Sequence, residues 1–485
     1  MYRKLRKKAL PAAILTASLI VGTTSVSSAI YAEANVETKT NALAGMKAAS
    51  MSANYSSMEA RAQAFADVVG TIVNASTVGN VGAQAFASDA AGAVAIEALD
   101  IVAVGDSLTV GYEPGMTESS VPYGYVDRVY EQALYHGRVS IQNFGVMGLK
   151  SAGLQAWLNA TAQGNAITAE EAQNNLSSYP LASATIAKSA ALKTALQGAD
   201  LIVMTIGGND FTSIIEAVRQ GPLTTEQLTN RFDEVLAAYE TSLEASLRSI
   251  IAINPTARII ISDQYLPVPK PSVVNKAITE EQYAVLLGGV AKLKESVESL
   301  ADTLRNEGTK IDTVNVSEPF AGKELIYTGI VKGDIHPQQA GYQVMGQVFA
   351  EEIWGEYRQP EKLAAGEPLH VIIDGKKLTG ANKPVLKSNT TFLPMRDLAN
   401  AMNAALTWDS KTQTATIKAG NKEVAFRIGA PSMKVNGQEV PLAVPAYLAK
   451  SGNNAVTYLP LAALSKGLGY QVEYRKPIGT VFINK

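Results

Sequence analysis

Between about residue 96 and residue 356 the chain alternates apolar runs of strand length with long helical patterns, and no other feature narrows its fold as far. Strand candidates fall at 101–104, 139–143, 201–206, 258–262 and 310–316. The helices between them are read from apolar residues three and four apart. Leu228, Phe232, Val235, Tyr239, Leu243 and Leu247 share one face of a helix opened by Thr224 and Gln227. Leu286, Val290, Leu293, Val297, Leu300 and Leu304 share a face of another, opened by Thr279 and Gln282. In both, the Thr and the Gln three residues on can satisfy each other's free backbone N–H, the spacing of a capping box. Strands alternating with helices call for parallel strands, because each connection crosses back over the sheet. The expected fold is therefore α/β, a three-layer sandwich with a parallel sheet covered on both faces.

The N-terminus is a different kind of segment. Arg3, Lys4, Arg6, Lys7 and Lys8 precede an uncharged, largely apolar run from Ala9 to about Val21, and small residues lead to Ala32-Glu33-Ala34. A basic start, a short apolar middle and an A-x-A site predict a secretory signal peptide over 1–34, with Ala29 and Ala32 as equally good cleavage points. The apolar run falls short of the roughly 18 residues of a spanning helix, so no stable membrane span is expected after cleavage. Without that segment the chain keeps 37 Lys/Arg against 43 Asp/Glu, a formal charge of −6. A mildly acidic chain carries no electrostatic footprint for nucleic acid. The absence of cysteine excludes disulfides, thiolate metal sites and lipidation of a cysteine at the new N-terminus. A secreted bacterial protein, in the Gram-positive style, is the expectation.

Residues 35–95 are rich in Ala, Ser, Gly and Asn and read as linker, with one helical piece where Ser56 and Glu59 precede Phe65, Val68, Val69 and Ile72. A second, turn-rich and charged linker at 357–366 follows the helix ending near Glu356. Beyond it, 367–485 repeats itself. Thr391-Phe392-Leu393-Pro394-Met395 matches Thr457-Tyr458-Leu459-Pro460-Leu461 at an offset of 66, and Leu398/Leu464, Leu406/Val472, Trp408/Tyr474, Thr414/Thr480 and Ile417/Ile483 keep the same offset. An ungapped series of that length marks an internal duplication.

Chemistry concentrates at the predicted strand ends. Ser107 lies in Val104-Gly105-Asp106-Ser107-Leu108, directly after the first strand, where the loops of an α/β sheet open into a ligand crevice. A turn serine needs a base to become a nucleophile, and the chain has three histidines. His136 and His370 read as cap or surface residues. His336 stands in Gly333-Asp334-Ile335-His336-Pro337, with a carboxylate two residues upstream and a helix starting at the proline. Gly148, in Asn143-Phe144-Gly145-Val146-Met147-Gly148, and Asn209, in Ile206-Gly207-Gly208-Asn209-Asp210, follow the next two strands and can offer a backbone N–H and a carboxamide to a developing oxyanion.

This ordered set resembles the SGNH or GDSL hydrolase family, named for its Ser, Gly, Asn and His, over roughly residues 98–356. The resemblance implies a flavodoxin-like sandwich on a five-stranded parallel sheet. It also implies Ser107 as nucleophile, the Ser107 and Gly148 N–H groups with the Asn209 side chain as oxyanion donors, and His336 as general base. The G-x-S-x-G elbow of the common α/β-hydrolases is absent around Ser107. One departure concerns the acid, which the family places three residues before the histidine. Here that position is Gly333, and either Asp334 or a backbone carbonyl orients His336, with Asp334 favoured because a carboxylate stabilises the imidazolium. Asp106 reads as a structural hydrogen-bonder of the nucleophile turn. No metal or cofactor is implied.

Sixty residues separate Gly148 from Asn209, more than a crossover needs. Residues 154–198 are read as an inserted helical subdomain, a lid or a surface decoration. Tyr112, Phe211 and that insertion are the candidates for substrate contact. The repeat region, 367–485, resembles the domain related to the N-terminal domain of copper amine oxidases. It implies two β-rich lobes acting as a stalk-like spacer or cell-wall-binding module, with Trp408 and Tyr474 as core aromatics. One histidine and no cysteine in that region do not suggest copper. Three functions follow: a secreted serine carboxylic-ester hydrolase acting on small-molecule or lipid acyl esters, a carbohydrate O-acetyl esterase acting on cell-wall or plant polysaccharide, and a cell-surface binding protein with a degenerate hydrolase domain. The intact Ser107, Gly148, Asn209 and His336 favour the first two.

Overall fold

The computed structural model describes residues 98–485 except 115, 117–119, 221–222, 273–277, 381 and 452–453. The expected signal peptide and the 35–95 linker with its helical piece lie outside the described residues. In chain order the first part comprises β1 (Leu99–Gly105), α1 (Ser107–Val110), α2 (Tyr125–Ala133), β2 (Val139–Gly145), α3 (Ser151–Gln163), α4 (Ser189–Gly198), β3 (Leu201–Thr205), α5 (Thr212–Gln220), α6 (Thr225–Ile253), β4 (Arg258–Ser262), α7 (Glu280–Asn306), β5 (Ile311–Val314) and α8 (Gln339–Trp354).

The five strands form one parallel sheet in the order β2-β1-β3-β4-β5. The order reverses beside β1, which opens a crevice at the carboxyl ends of β1 and β3, where the predicted motifs lie. Alternation along each strand separates two cores. Val102, Val104, Ile202, Met204, Ile259 and Ile261 face α3, α4, α6 and α7, while Ile101, Ala103, Val203 and Ile260 face α2 and α8. The predicted capping boxes are present: the Thr224 hydroxyl accepts from Gln227 N at 3.1 Å and that of Thr279 from Gln282 N at 3.1 Å. The helix expected at Pro337 starts two residues later, at Gln339, because Pro337 is held in a bridge with Thr328.

The expected insertion is smaller than 154–198. Trp157 and Leu158 on α3 and Leu192 and Leu196 on α4 are fully buried in the main core, so these helices are the crossover between β2 and β3. Only about residues 164–188, with the short helices Ala169–Ala172 and Ala182–Ile186, are added to it.

The second part comprises β6 (His370–Ile373), β7 (Lys376–Lys377), β8 (Val385–Lys387), β9 (Thr390–Pro394), α9 (Met395–Ala401), β10 (Ala405–Asp409), β11 (Thr414–Ala419), β12 (Lys422–Arg427), β13 (Ser432–Val435), β14 (Gln438–Pro441), β15 (Tyr447–Ser451), β16 (Asn454–Pro460), α10 (Leu461–Gly467), β17 (Gln471–Arg475) and β18 (Thr480–Asn484). The duplication is structural: β9-α9-β10-β11 recurs as β16-α10-β17-β18. The copies are not two lobes, however. Leu393, Leu398 and Ile417 of the first share one core with Leu459, Leu464 and Ile483 of the second, and β9 pairs directly with β16. A single copy has too little apolar surface to enclose. Trp408 and Tyr474, expected in that core, are exposed at 40% and 54%. His370, expected as a cap or surface residue, is buried at the start of β6 and bonds the Glu361 carbonyl at 2.7 Å.

The repeat domain is docked on the sandwich. Ile372 and Phe482 enter the α2/α8 core, with Phe482 edge-on to Tyr135. The Gln471 amide accepts from Val139 N at 3.0 Å and donates to Val139 O at 2.7 Å, closing the open edge of β2. Arg475 pairs with Asp127 at 2.9 Å and Glu131 at 3.1 Å. The expected linker is also held down, with Arg358 N donating to the Gln132 carboxamide at 2.7 Å.

Candidate active site

The turn after β1 is dictated by backbone crowding. Gly105 has φ +149°, and a Cβ there would strike the Thr205 carbonyl. The chain then reverses into α1, whose N-cap is Asp106. Asp106 Oδ1 accepts from Leu108 N at 3.0 Å and from the Thr205 hydroxyl at 3.0 Å, and Thr205 is itself bonded to Thr109 at 2.8 Å. The hydroxyl of Ser107 is thereby aimed across the crevice. Burial pushes the Asp106 carboxyl up to about 7, against the pull of those hydrogen bonds and of His336.

His336 comes from the opposite side, on the loop before α8. Its Nε2 lies 2.9 Å from Ser107 Oγ and its Nδ1 2.6 Å from Asp334 Oδ1. The same Oδ1 accepts the His336 backbone N–H at 2.9 Å, an Asx turn. A carboxylate two residues before a histidine can therefore reach the ring by folding back on its own backbone, without the third spacer residue. Burial raises the Asp334 carboxyl, but the ring and backbone hydrogen bonds from His336, with its charge, outweigh this and hold it below its ordinary value. The Tyr265 hydroxyl donates to Ile335 O at 2.7 Å, and the Tyr112 ring stands edge-on to the imidazole at 4.7 Å between centroids. Both restrict the ring.

The third wall is the loop after β2. Gly148 has φ +73°, and a Cβ there would overlap the Tyr179 ring. Asn209 Nδ2 donates to Leu149 O at 2.9 Å, leaving its second hydrogen for another acceptor. The Asp210 carboxylate accepts from Ser151 N at 3.0 Å and Ser151 Oγ at 2.7 Å. Burial raises Asp210, against those two bonds.

A narrow crevice, open to solvent, begins at Ser107 and His336. It runs between Ile214 and Ile215 of α5, Phe232 of α6 and Leu286, Val290 and Leu293 of α7. Phe211 stacks on Phe232 with centroids 4.8 Å apart. Gln264 and Tyr265 also line it, and most of its wall is hydrocarbon.

The model of the GDSL-like lipase/acylhydrolase family matches residues 103–344. This part of the chain belongs to that family. The model of the copper amine oxidase N-terminal domain matches residues 372–483. Among solved structures, the lipase Lip_vut3 from a goat rumen metagenome is 20% identical with a TM-score of 0.38, covering 54% of this chain and 99% of that one. A variant of an acetyl xylan esterase from Geobacillus stearothermophilus is 17% identical with a TM-score of 0.33, covering 54% and 96%. The extracellular lipase from Streptomyces rimosus is 20% identical with a TM-score of 0.34, covering 52% and 100%. No curated protein matches.

The chain is a serine ester hydrolase, and the structure brings most of the residues expected at its site together. Ser107, His336 and Asp334 are joined by hydrogen bonds, Asn209 and Phe211 line the crevice, and Gly148 stands on the neighbouring loop. Tyr112, expected to touch substrate, packs on His336 and, like Gly148, is not among the crevice residues. Sequence reasoning missed Tyr265 and the α7 face. Leu286 and Leu293 were legible as a helix face, but a helical stripe looks the same whether it meets a core or a substrate. Among the described residues, no helix is long and apolar enough to cross a membrane, and no group of three His, Cys, Asp or Glu could hold a metal ion.

Proposed function

We propose that the protein is secreted and hydrolyses carboxylic esters of an extended acyl chain, through an acyl-enzyme on Ser107. The observation that carries this reading is the hydrogen-bonded series from Asp334 through His336 to Ser107 Oγ, which opens directly onto an apolar slot. His336 Nε2 takes the hydroxyl proton as Oγ attacks the ester carbonyl, and Asp334 offsets the charge of the imidazolium. The negative charge on the carbonyl oxygen is met by the N–H groups of Ser107 and Gly148 and by the remaining Nδ2 hydrogen of Asn209. His336 then protonates the departing alkoxide. Water, deprotonated by the same nitrogen, releases the acid and restores Ser107.

An acetyl group would leave the slot between α5, α6 and α7 empty, whereas each methylene of a longer chain placed there gains about 0.8 kcal/mol. That favours acyl chains over acetylated sugar. Cell-wall association through the repeat domain belongs to the same proposal, supported by the exposed Trp408 and Tyr474, since exposed aromatic rings suit sugar faces. Turnover of p-nitrophenyl esters from acetate to dodecanoate and of acetylated xylan, with Ser107→Ala as control, tests the reading. Rates that climb with chain length and vanish in the variant are expected. Faster deacetylation of xylan than of any acyl ester would replace the acyl reading with the polysaccharide one, and full activity of the variant would remove Ser107 from the mechanism.

A further inference from the structure

The short insertion between α3 and α4 reaches back to the loop that carries Gly148. Gln173, just after the helix Ala169–Ala172, donates from Nε2 to Gly148 O at 3.0 Å and accepts Lys150 N at Oε1 at 2.8 Å. One side-chain amide thus closes a two-point bridge on the loop backbone, the geometry by which a carboxamide imitates a neighbouring strand. The ring of Tyr179, from the same insertion, lies over the Gly148 α-carbon so closely that no β-carbon would fit between them. From the other side Asn209 holds Leu149 O, and Asp210 holds Ser151 N. Four consecutive residues, 148 to 151, therefore each have a backbone group bonded to a side chain, and half of that grip comes from the insertion.

Such a grip has a direction. The Gly148 N–H belongs to the peptide before the α-carbon, and Gln173 fixes the peptide after it. With Gly148 in the left-handed region, a conformation a glycine leaves easily, nothing in the residue itself fixes the direction of its N–H. The bridge to Gln173 and the Tyr179 ring remove that freedom from outside. A preorganised donor stabilises an oxyanion because no reorientation is needed when the charge develops.

We propose that Gln173 is a positioning residue for the oxyanion donor at Gly148, and that the 164–188 segment is retained as a buttress of the reaction centre rather than as a cover over it. The proposal rests on the ester-hydrolase reading with Gly148 as a donor. It implies that the segment acts on the tetrahedral state and not on ground-state binding, which a lid closing over substrate would affect first.

The test compares Gln173→Ala and Gln173→Met with the full-length wild type, using a p-nitrophenyl ester and an alkyl boronic acid that forms a tetrahedral adduct with the serine. The expected result is a loss of about 10- to 100-fold in kcat with KM within about twofold. Boronate affinity should fall in parallel with kcat. Methionine, which keeps the volume and loses both hydrogen bonds, should behave as alanine does, and thermal melting with circular dichroism establishes that each variant is folded. A folded Gln173→Met with wild-type kcat and boronate affinity would overturn the proposal, as would a rise in KM at constant kcat. Full activity of Ser107→Ala would instead remove the underlying hydrolase reading, so the two failures are distinguishable. If both Gln173 variants fail to fold, Tyr179→Ala carries the same test, because it removes the ring that packs on Gly148.

Discussion

A single β-carbon should change which esters the enzyme prefers. Gly289 sits in the middle of α7, one residue from Val290, and the Phe232 ring rests directly on it. A β-carbon at Gly289 would stand 2.6 Å from Cδ2 and Cζ of that ring, where ordinary contact begins at 3.4 Å. Gly289→Ala therefore drives the ring back by about 1 Å, which is felt in a close-packed interior. Phe232 is backed by Phe211 and borders the crevice, so the retreat takes up acyl space, roughly that of one methylene. One buried methylene is worth about 0.8 kcal/mol, close to fourfold in kcat/KM. Stability should fall by no more than about 2 kcal/mol, because alanine gains about 1 kcal/mol over glycine in a helix interior while overpacking costs about 1–3 kcal/mol. The assay is kcat/KM for p-nitrophenyl esters from acetate to dodecanoate. Acetate should stay within twofold of wild type, and the longest well-used chain should fall about fourfold relative to it. A folded variant with an unchanged chain-length profile, or with acetate reduced as much as dodecanoate, would refute the placement of the acyl chain against Phe232.

Other substitutions probe other links. Asp334→Asn should lower kcat by about 10³- to 10⁴-fold with little change in KM, because the amide cannot stabilise the imidazolium; steady-state kinetics at pH 8 checks this. Arg475→Ala leaves Glu131, only 4% exposed in its side chain, without its cation and should cost about 3 kcal/mol in urea unfolding, and adding Glu131→Gln should recover part of that. Asp106 has its folded-state carboxyl raised from 3.8 to about 7, so the folded state holds a proton that the unfolded chain has lost. Its contribution to stability must therefore decline as pH rises from about 4 to 7. Asp106→Asn should flatten that decline, measured as Tm against pH, and an unchanged slope would contradict it.

The repeat domain also contacts α2, which in turn contacts the start of α8. Arg475 of β17 grips Asp127 and Glu131, and one turn away Arg128 donates to Gln339 Oε1 at 2.9 Å at the start of α8, three residues from His336. A module read as a spacer is in contact with the helix that braces the histidine loop.

Much was determined by the sequence alone, and for a reason of scale. The five strands, both capping boxes and the duplication depend on residues within a few positions of each other or on a fixed repeat, so local sterics and periodicity decide them. The order of the Ser107, Gly148, Asn209 and His336 motifs after successive strands is equally local. Tertiary structure decided what depends on distant residues meeting. Gln173 stands next to Asn174 and Asn175 in a polar stretch with no motif of its own, and only the return of that segment to the Gly148 loop singles it out. The two copies of the repeat merged into one core because neither can bury its apolar face alone. Trp408 and Tyr474 hold equivalent positions in the duplication, yet burial is fixed by what packs on the opposite side, and both remain exposed. The acid partner of His336 lay between. Its residue type was legible, but its reach depended on Asp334 turning back to its own backbone, a matter of torsion angles that only the folded loop selects.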